Sequence, residues 1–406
     1  VDINAVTIGA ATTIYGGATT IDGTVSFGSK ALTIDTSDNS GKAITQSSGS
    51  LTAGATTLST TAANISIGQT GNDLSSIAAN TTTSGDVTIG GSGGIALGAS
   101  SVAGDLSVTA TTGSVTDSGV VSVGGTTGVT VATTENVILD SANTFTGAMT
   151  LTAGGGGVGT AFGDVTIKNS TAVKWDTNAD EAGDLYLNAG TDGAVGGDLS
   201  IISGGAITQG IELGVTGSAS FKTLNNTPAG ITLSNASNTF GAITAQARNA
   251  ADGSDVAGSI TIREGAAMAI ADISTTGTLS LTTTGALTQS GAIDAGAVTV
   301  SASGQDVTLT NTSNAMTSVN ITGANIDVTD SNGIDIAAIS SATTLDVIAG
   351  DAITDSGTIT VSGAATFKTK KDAAAAITLN NANVHTFGSV KAETRNADDD
   401  ATVAGA

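Results

Sequence analysis

The sequence of 406 residues has no cysteine, one proline and one histidine, and aromatic residues make up 2% of it. The absence of cysteine excludes a disulfide scaffold and a thiolate metal site. Only 12 lysines and arginines stand against 35 acidic residues, and the formal net charge is −23. This balance excludes nucleic-acid binding, which requires clustered cations to neutralise phosphates. No run of about 18 apolar residues occurs, so the sequence predicts no membrane insertion.

The residues that are abundant indicate a thin, regular core. Glycine occurs 56 times, and hydrophobic residues make up 39% of the chain. That apolar fraction is too high, and its pattern too regular, for a disordered low-complexity segment, which cannot bury enough surface to fold. With few large rings, the core has to be built from valine, isoleucine, leucine and alanine.

Internal repetition is the most informative feature. A first motif consists of glycine, a small or acidic residue, and an apolar, Ser/Thr, apolar triplet. Its copies lie at 85–89, 104–108, 163–167, 183–187, 258–262, 277–281 and 296–300, and neighbouring copies are often 19 residues apart. A second motif, an apolar residue followed by Thr-Gln or Thr-Asp, lies at 44–47, 115–119, 207–210, 287–291 and 353–357.

A longer repeat has an offset of 146 or 147 residues. It relates Phe-Lys-Thr at 221–223 to 367–369, and Arg-Asn-Ala at 248–250 to 395–397. We therefore expect one continuous solenoid over residues 1–406, without a separate globular domain. Its long repeat units are 217–362 and a truncated copy, 363–406. The truncation indicates either a piece of a longer chain or a subunit that stacks end to end.

The triplets alternate with period two, which is the pattern of a half-buried strand with its hydroxyl side chains outward. Threonine, valine and isoleucine also favour strands, and glycine, asparagine and aspartate favour the turns between them. An antiparallel meander would not require a fixed sequence period, whereas a stack of turns does. The predicted fold is therefore all-β, a parallel β-solenoid (β-helix) with turns of about 19 residues.

Two longer runs carry a family resemblance. They are 287–291 with 298–300 and 307–311, and 353–357 with 377–381 and 386–388. These runs resemble the degenerate repeats of filamentous-haemagglutinin-like giant surface proteins of bacteria. The resemblance covers nearly all of the chain. It implies secretion, a right-handed parallel β-helix, and a role in adhesion, biofilms or the cell surface.

Enzymatic function is the first alternative, because some parallel β-helices cleave polysaccharides. Such chemistry needs converging carboxylates with a cation or histidine in a groove. The chain offers one histidine, His385, which we interpret as a turn or surface residue, and the sequence predicts no enzyme and no cofactor. Ice or surface binding through outward threonine columns is another alternative, but Ser107, Ser280 and Tyr186 interrupt the column.

Calcium binding is a further alternative. Asp327, Asp330, Asn332 and Asp335 are closely spaced oxygen donors, and hard cations take several such ligands. They fit neither the EF-hand loop nor the glycine-rich calcium nonapeptide. We therefore treat these four residues as candidates for a calcium site, against the interpretation that they are turn residues with solvated charges.

The sequence thus predicts a structural fibre segment at the cell surface or outside the cell, whose expected partners are further copies of itself, end to end or side by side. An adhesin stalk that binds glycans or other cells is the alternative. A carbohydrate-active β-helix enzyme is the third possibility.

Overall fold

A computed structural model describes residues 1–38, 41–155, 160–176, 180–189, 194–373 and 375–403, with the backbone alone at 341 and 342. This part of the chain contains strands and turns but no helix, and hence no helix able to span a membrane. All paired strands run parallel. The strands divide into two compact units, Val1–Gly204 with Gly214–Thr216, and Gly205–Leu213 with Gly217–Ala406.

The first unit holds the strands up to β23. They are β1 (Asp2–Asn4), β2 (Thr12–Tyr15), β3 (Thr19–Asp22), β4 (Val25–Ser26), β5 (Leu32–Asp35), β6 (Ile44–Gln46), β7 (Leu51–Thr60), β8 (Ile65–Ile67), β9 (Asp73–Thr81), β10 (Val87–Gly91), β11 (Ile95–Leu97), β12 (Ser100–Val102), β13 (Leu106–Ala110), β14 (Val115–Asp117), β15 (Val121–Val123), β16 (Thr127–Val131), β17 (Val137–Phe145), β18 (Met149–Ala153), β19 (Val165–Asn169), β20 (Val173–Trp175), β21 (Asp184–Asn188), β22 (Ala194–Val195) and β23 (Leu199–Ser203).

The second unit holds the later strands, and the first residues of β25 belong to the first unit. They are β24 (Ile207–Gln209), β25 (Gly214–Leu224), β26 (Ile231–Leu233), β27 (Thr239–Arg248), β28 (Ile260–Glu264), β29 (Met268–Ser274), β30 (Leu279–Thr283), β31 (Leu287–Gln289), β32 (Ile293–Ser301), β33 (Val307–Leu309), β34 (Ala315–Asp330), β35 (Ile334–Ala349), β36 (Ile353–Asp355), β37 (Ile359–Lys370), β38 (Ile377–Thr378) and β39 (Thr386–Arg395).

The predicted fold class is confirmed: the chain is a parallel β-solenoid of about 18 turns. Equivalent residues of the first motif pair in register, as Val87 does with Leu106 and Ile260 with Leu279. The average spacing is about 21 residues per turn, longer than the expected 19. The difference arises because some turns carry insertions: the corner contact from Asp105 to Asp86 spans 19 residues, and that from Asp198 to Asp164 spans 34.

The core follows from the period-two alternation. In β19 the residues Val165, Ile167 and Asn169 are buried, and the two residues between them are partly exposed. In register, such inward residues stack into columns, for example Val87 on Leu106. Phe145, Phe221 and Phe367 are among the largest fully buried side chains. Aliphatic columns with occasional rings therefore fill the interior.

The 146–147-residue repeat has a structural counterpart in the second unit. The rings of Phe221 and Phe240 meet edge to face with centroids 6.0 Å apart, and those of Phe367 and Phe387 meet in the same way at 6.0 Å. This agreement shows that the long sequence repeat is a repeat of side-chain packing.

Candidate functional site

The first sequence motif forms an outer corner, which we call the Asp corner (Asp86, Asp105, Asp164 and Asp198). The backbone N–H of Asp105 donates to Oδ1 of Asp86 at 3.0 Å, and the N–H of Thr126 donates to Oδ1 of Asp105 at 2.7 Å. Asp198 donates to Asp164 in the same way at 2.9 Å. All four aspartates are exposed, and the carboxylates of Asp86, Asp105 and Asp164 each accept a backbone N–H from the next turn. In these copies the acidic residue is therefore a contact between turns, whereas Asp184 of the copy at 183–187 is buried and accepts the N–H of Glu181.

The glycine of the motif is explained by the same contact. A Cβ on Gly125 would lie 2.2 Å from Oδ1 of Asp105, and one on Gly197 would lie 2.2 Å from Oδ1 of Asp164. Neither glycine has a positive φ, so the requirement is for space. Glycine is needed because the carboxylate of the preceding turn occupies the position of its side chain.

The second motif forms a corner on the inside, which we call the amide corner. Its glutamines, Gln46, Gln209 and Gln289, exchange paired side-chain hydrogen bonds with an asparagine of the next turn. The pairs are Gln46 with Asn72, Gln209 with Asn238, and Gln289 with Asn314.

Each of these asparagines also binds backbone. Oδ1 of Asn72 accepts the N–H of Leu51 at 2.8 Å, and Oδ1 of Asn314 accepts that of Ile293 at 2.9 Å. Nδ2 of Asn314 donates to the carbonyls of Leu309 and Thr329 at 3.2 and 3.0 Å. Buried backbone groups need such partners because water does not reach them. The amide corner thus replaces water where the chain changes direction.

Two copies of the second motif have aspartate in place of glutamine. Nδ2 of Asn143 donates to Oδ2 of Asp117 at 2.7 Å. In the other copy Asp355 faces His385, whose Nε2 lies 2.9 Å from Oδ2 of Asp355. The N–H of Ile359 donates to Nδ1 of His385 at 3.1 Å. Since Nδ1 accepts a hydrogen bond, the ring proton is placed on Nε2, facing Asp355.

His385 therefore takes the place of an asparagine in the amide corner. Its side chain is only 13% exposed, and that of Asp355 is fully buried. Both ring nitrogens face groups of the corner itself, so the geometry gives this histidine a role as a turn residue that caps backbone.

A further row of inward polar residues lies one turn after Asn143, Asn238 and Asn314. Asn169 accepts the N–H of Phe145 at 2.9 Å, Glu264 that of Phe240 at 2.8 Å, and Asp330 that of Met316 at 2.6 Å. We call Asn169, Glu264 and Asp330 the capping row. Burial raises the pKa of Glu264 to about 7 and also raises the pKa of Asp330.

The three carboxylates among the four calcium candidates do not converge on one point. The carboxylate of Asp330 faces the interior and accepts the N–H of Met316 and that of Asn332. Asp327 lies on the outer face of β34, and Asp335 lies in β35, where its carboxylate accepts the hydroxyls of Thr354 and Ser356. Within the described ranges, no group of three or more His, Asp and Glu residues could hold a metal ion. The calcium site stays a prediction, and the structure does not bring its four residues together.

A polar groove of about 390 Å³ crosses successive turns of the second unit. Its lining includes Thr276, Asp294, Gly296, Thr317 and Asn332. Burial and the carboxylates of two neighbouring aspartates raise the pKa of Asp294. The groove offers hydroxyl, amide and carboxylate groups to a ligand.

Two charged hairpins reproduce the long repeat. In the first, Asp252 has a φ of 56° and accepts hydrogen bonds from Lys222 at 3.0 Å and from Nε of Arg248 at 3.2 Å. In the second, Asp399 has a φ of 62° and accepts from Lys368 at 3.2 Å and from Nε of Arg395 at 3.0 Å. Both hairpins thus use lysine and arginine side chains, which are scarce in this chain.

Sequence reasoning found both motifs but assigned them no contacts. The asparagines of the amide corner were missed because they lie one turn after their glutamines and outside the motif. The signal that could have found them is the recurrence of Asn-Thr-Phe at 143–145 and 238–240 and of His-Thr-Phe at 385–387.

Comparison with known proteins identifies repeats over most of the chain. Residues 84–152, 153–247, 257–322 and 323–392 each match the family described as repeats of unknown function (DUF5649). Searches of curated proteins and of solved structures gave no match. Because the matches cover well over half of the sequence, and the turns and corners above repeat through the same residues, the chain belongs to the family of DUF5649 repeats.

Proposed function

We propose that the chain is a structural, non-enzymatic segment of a fibre at the cell surface or outside the cell. The observation that carries this proposal is the use made of the two sequence motifs. Both place their polar groups in contacts between successive turns, at the Asp corner and at the amide corner. A chain whose recurring polar residues join its own turns is built for mechanical continuity.

Two further observations support the proposal. The net charge of −23 keeps such a surface soluble and disfavours contact with anionic membranes and nucleic acid. The runs quoted above resemble filamentous-haemagglutinin-like repeats, which implies a secreted bacterial protein. Self-association, end to end or side by side, belongs to the same proposal.

The proposal is tested on cells that produce the protein and on the purified chain. Antibodies against the chain should label the outside of intact, unpermeabilised cells in immunogold electron microscopy. Labelling confined to the cell interior would refute the location. Negative-stain micrographs of the purified chain over a range of concentrations should show fibres of uniform width, and discrete single particles at every concentration would refute self-association.

A glycan-binding stalk is the second candidate, and the polar groove favours it. Thr276 and Thr317 flank Gly296, and a carboxylate such as that of Asp294 can accept hydrogen bonds from adjacent sugar hydroxyls. In a glycan array, saturable binding that is weakened by Asp294→Asn and Thr317→Val would support this candidate. Binding that is absent, or unaffected by both substitutions, would leave the fibre as the function.

A further inference from the structure

Glu264 occupies a position that an amide occupies elsewhere in the fold. In the capping row, Oε1 of Glu264 accepts the N–H of Phe240 at 2.8 Å, as Oδ1 of Asn169 accepts the N–H of Phe145 at 2.9 Å. Both phenylalanines follow an Asn-Thr pair of the amide corner. Glu264 and Asn169 therefore accept equivalent backbone N–H groups, each one turn after an equivalent asparagine of the amide corner.

The second atom of the two side chains distinguishes them. Nδ2 of Asn169 donates to the carbonyl of Phe145 at 3.2 Å and to the hydroxyl of Thr171 at 2.9 Å. Oε2 of Glu264 is buried and has no hydrogen-bond partner. An ionised carboxylate can only accept, whereas a protonated one carries an O–H donor and so matches an amide in having one donor and one acceptor side.

The surroundings of Glu264 contain no compensating positive charge. Its side chain is buried, at 1% exposed, and it lies beside Thr283 of β30 in register. The Thr283 hydroxyl donates to backbone carbonyls.

The titratable groups of the adjoining strands point elsewhere. β26 and β30 have none, Arg263 of β28 is exposed, and Arg248 at the end of β27 binds Asp252 and Asp255. An unpaired buried carboxylate is costly, so the neutral form is favoured.

We propose that Glu264 is a protonated carboxylic acid in the folded protein below neutral pH, where it replaces the asparagine of the capping row, and that its ionisation loosens the turn at Phe240. The site is a pH-responsive point within the second unit. Burial raises the pKa of Glu264 to about 7 and so also favours the protonated form. Loss of the proton removes the donor and leaves a charge among apolar columns.

The test uses the full chain labelled with ¹³C at the glutamate carboxyls. The sequence has five glutamates, so the carboxyl region of the NMR spectrum is simple. Glu264→Gln identifies the Glu264 signal by its loss, and Glu212→Gln, at an exposed glutamate, is the matched control. At about pH 6, we expect the Glu264 carboxyl to be roughly tenfold more protonated than ionised, while an ordinary glutamate is mostly ionised.

Hydrogen exchange at the Phe240 amide gives a second measurement. Its protection should fall between about pH 6 and 8 in the wild type, beyond the intrinsic effect of pH, and should stay constant in Glu264→Gln. If the glutamine variant fails to fold, the wild-type titration of the five carboxyls still decides. The proposal is overturned if all five titrate in the ordinary glutamate range, or if Phe240 protection changes equally in the wild type and in Glu264→Gln.

Discussion

Asn314 offers the sharpest test of how the turns are held together. Its side chain is completely buried. It accepts the N–H of Ile293, exchanges two hydrogen bonds with Gln289, and donates to the carbonyls of Leu309 and Thr329. Asn314→Leu has a side chain of similar size that can make none of these bonds.

The expected cost follows from the groups left without a partner. The Ile293 N–H and the Gln289 Nε2–H lose their partner, whereas Gln289 Oε1 keeps the N–H of Asn311. Each buried unsatisfied group costs about 1–3 kcal/mol. Burial of the leucine side chain offsets about 2 kcal/mol. We therefore expect Asn314→Leu to lower the free energy of unfolding by about 2 kcal/mol. Gln289→Leu combined with Asn314→Leu should cost about 1–3 kcal/mol less than the sum of the two single changes.

Hydrogen exchange by mass spectrometry is the suitable assay, because it reports on the second unit by itself whether or not the chain unfolds in one step. Urea unfolding followed by circular dichroism provides the overall stability. Asn320→Ala, at an exposed asparagine of β34, is the control and should change stability by less than about 0.5 kcal/mol. If Asn314→Leu and Asn320→Ala have equal effects, the amide corner does not hold the turns.

Three further predictions concern other corners. Gly125→Ala should destabilise the first unit by about 1–3 kcal/mol in urea unfolding, because its Cβ displaces Asp105 Oδ1, while Gly93→Ala, with open space around it, should have little effect. Because Glu264 binds its proton more tightly when folded, its contribution to stability should fall by up to about 3 kcal/mol as pH rises from the unfolded-state value near 4.5 to about 7, then level off, and Glu264→Gln should reduce the pH slope by this amount. A slope of equal size in the variant would contradict the assignment. His385→Asn should preserve thermal stability, since asparagine fills this corner elsewhere, whereas His385→Ala should cost about 1–3 kcal/mol; equal melting temperatures for these two variants would count against the capping role.

Much of the fold could be predicted from the sequence because a stack of turns repeats its own pattern. Alternating triplets such as 87–89 and 106–108 predict both the strands and the face that points inward. The regular spacing of the triplets predicts that they stack on one another. The average turn length was underestimated, since the copies of the first motif that lie closest together are those in turns without insertions. Phe145 and Phe240 are buried, and Phe387 is partly exposed, although all three follow Asn-Thr or His-Thr in the sequence.

The corners could not be predicted in the same way. An aspartate carboxylate can be solvated, or it can accept a hydrogen bond from the next turn. Which of the two occurs depends on the distance between the two turns, and the local sequence does not contain this distance. Asp330 illustrates this difficulty. Asp327 and Asn332 are close to Asp330 in the sequence, which suggests a cation site. However, the alternation of side chains along β34 places Asp327 on the outer face and Asp330 in the interior. The role of Glu264 was missed for the same reason, since a single glutamate after Ile-Arg looks like an ordinary surface residue.

The Asp corner has a direction, and this has a consequence for how such repeats diverge. Each aspartate accepts a hydrogen bond from the turn that follows it. Asp105 accepts the N–H of Thr126, and its carboxylate occupies the space where a Cβ of Gly125 would lie. The two positions expected to vary together are thus the aspartate of one turn and the glycine of the next turn. The adjacent glycine and aspartate of one motif copy do not form such a pair. In related repeats, replacement of such an aspartate by alanine should remove the steric requirement for glycine one turn later, so that the two positions vary together. Duplication of a whole turn preserves this pairing, which allows the number of turns to change without new contacts.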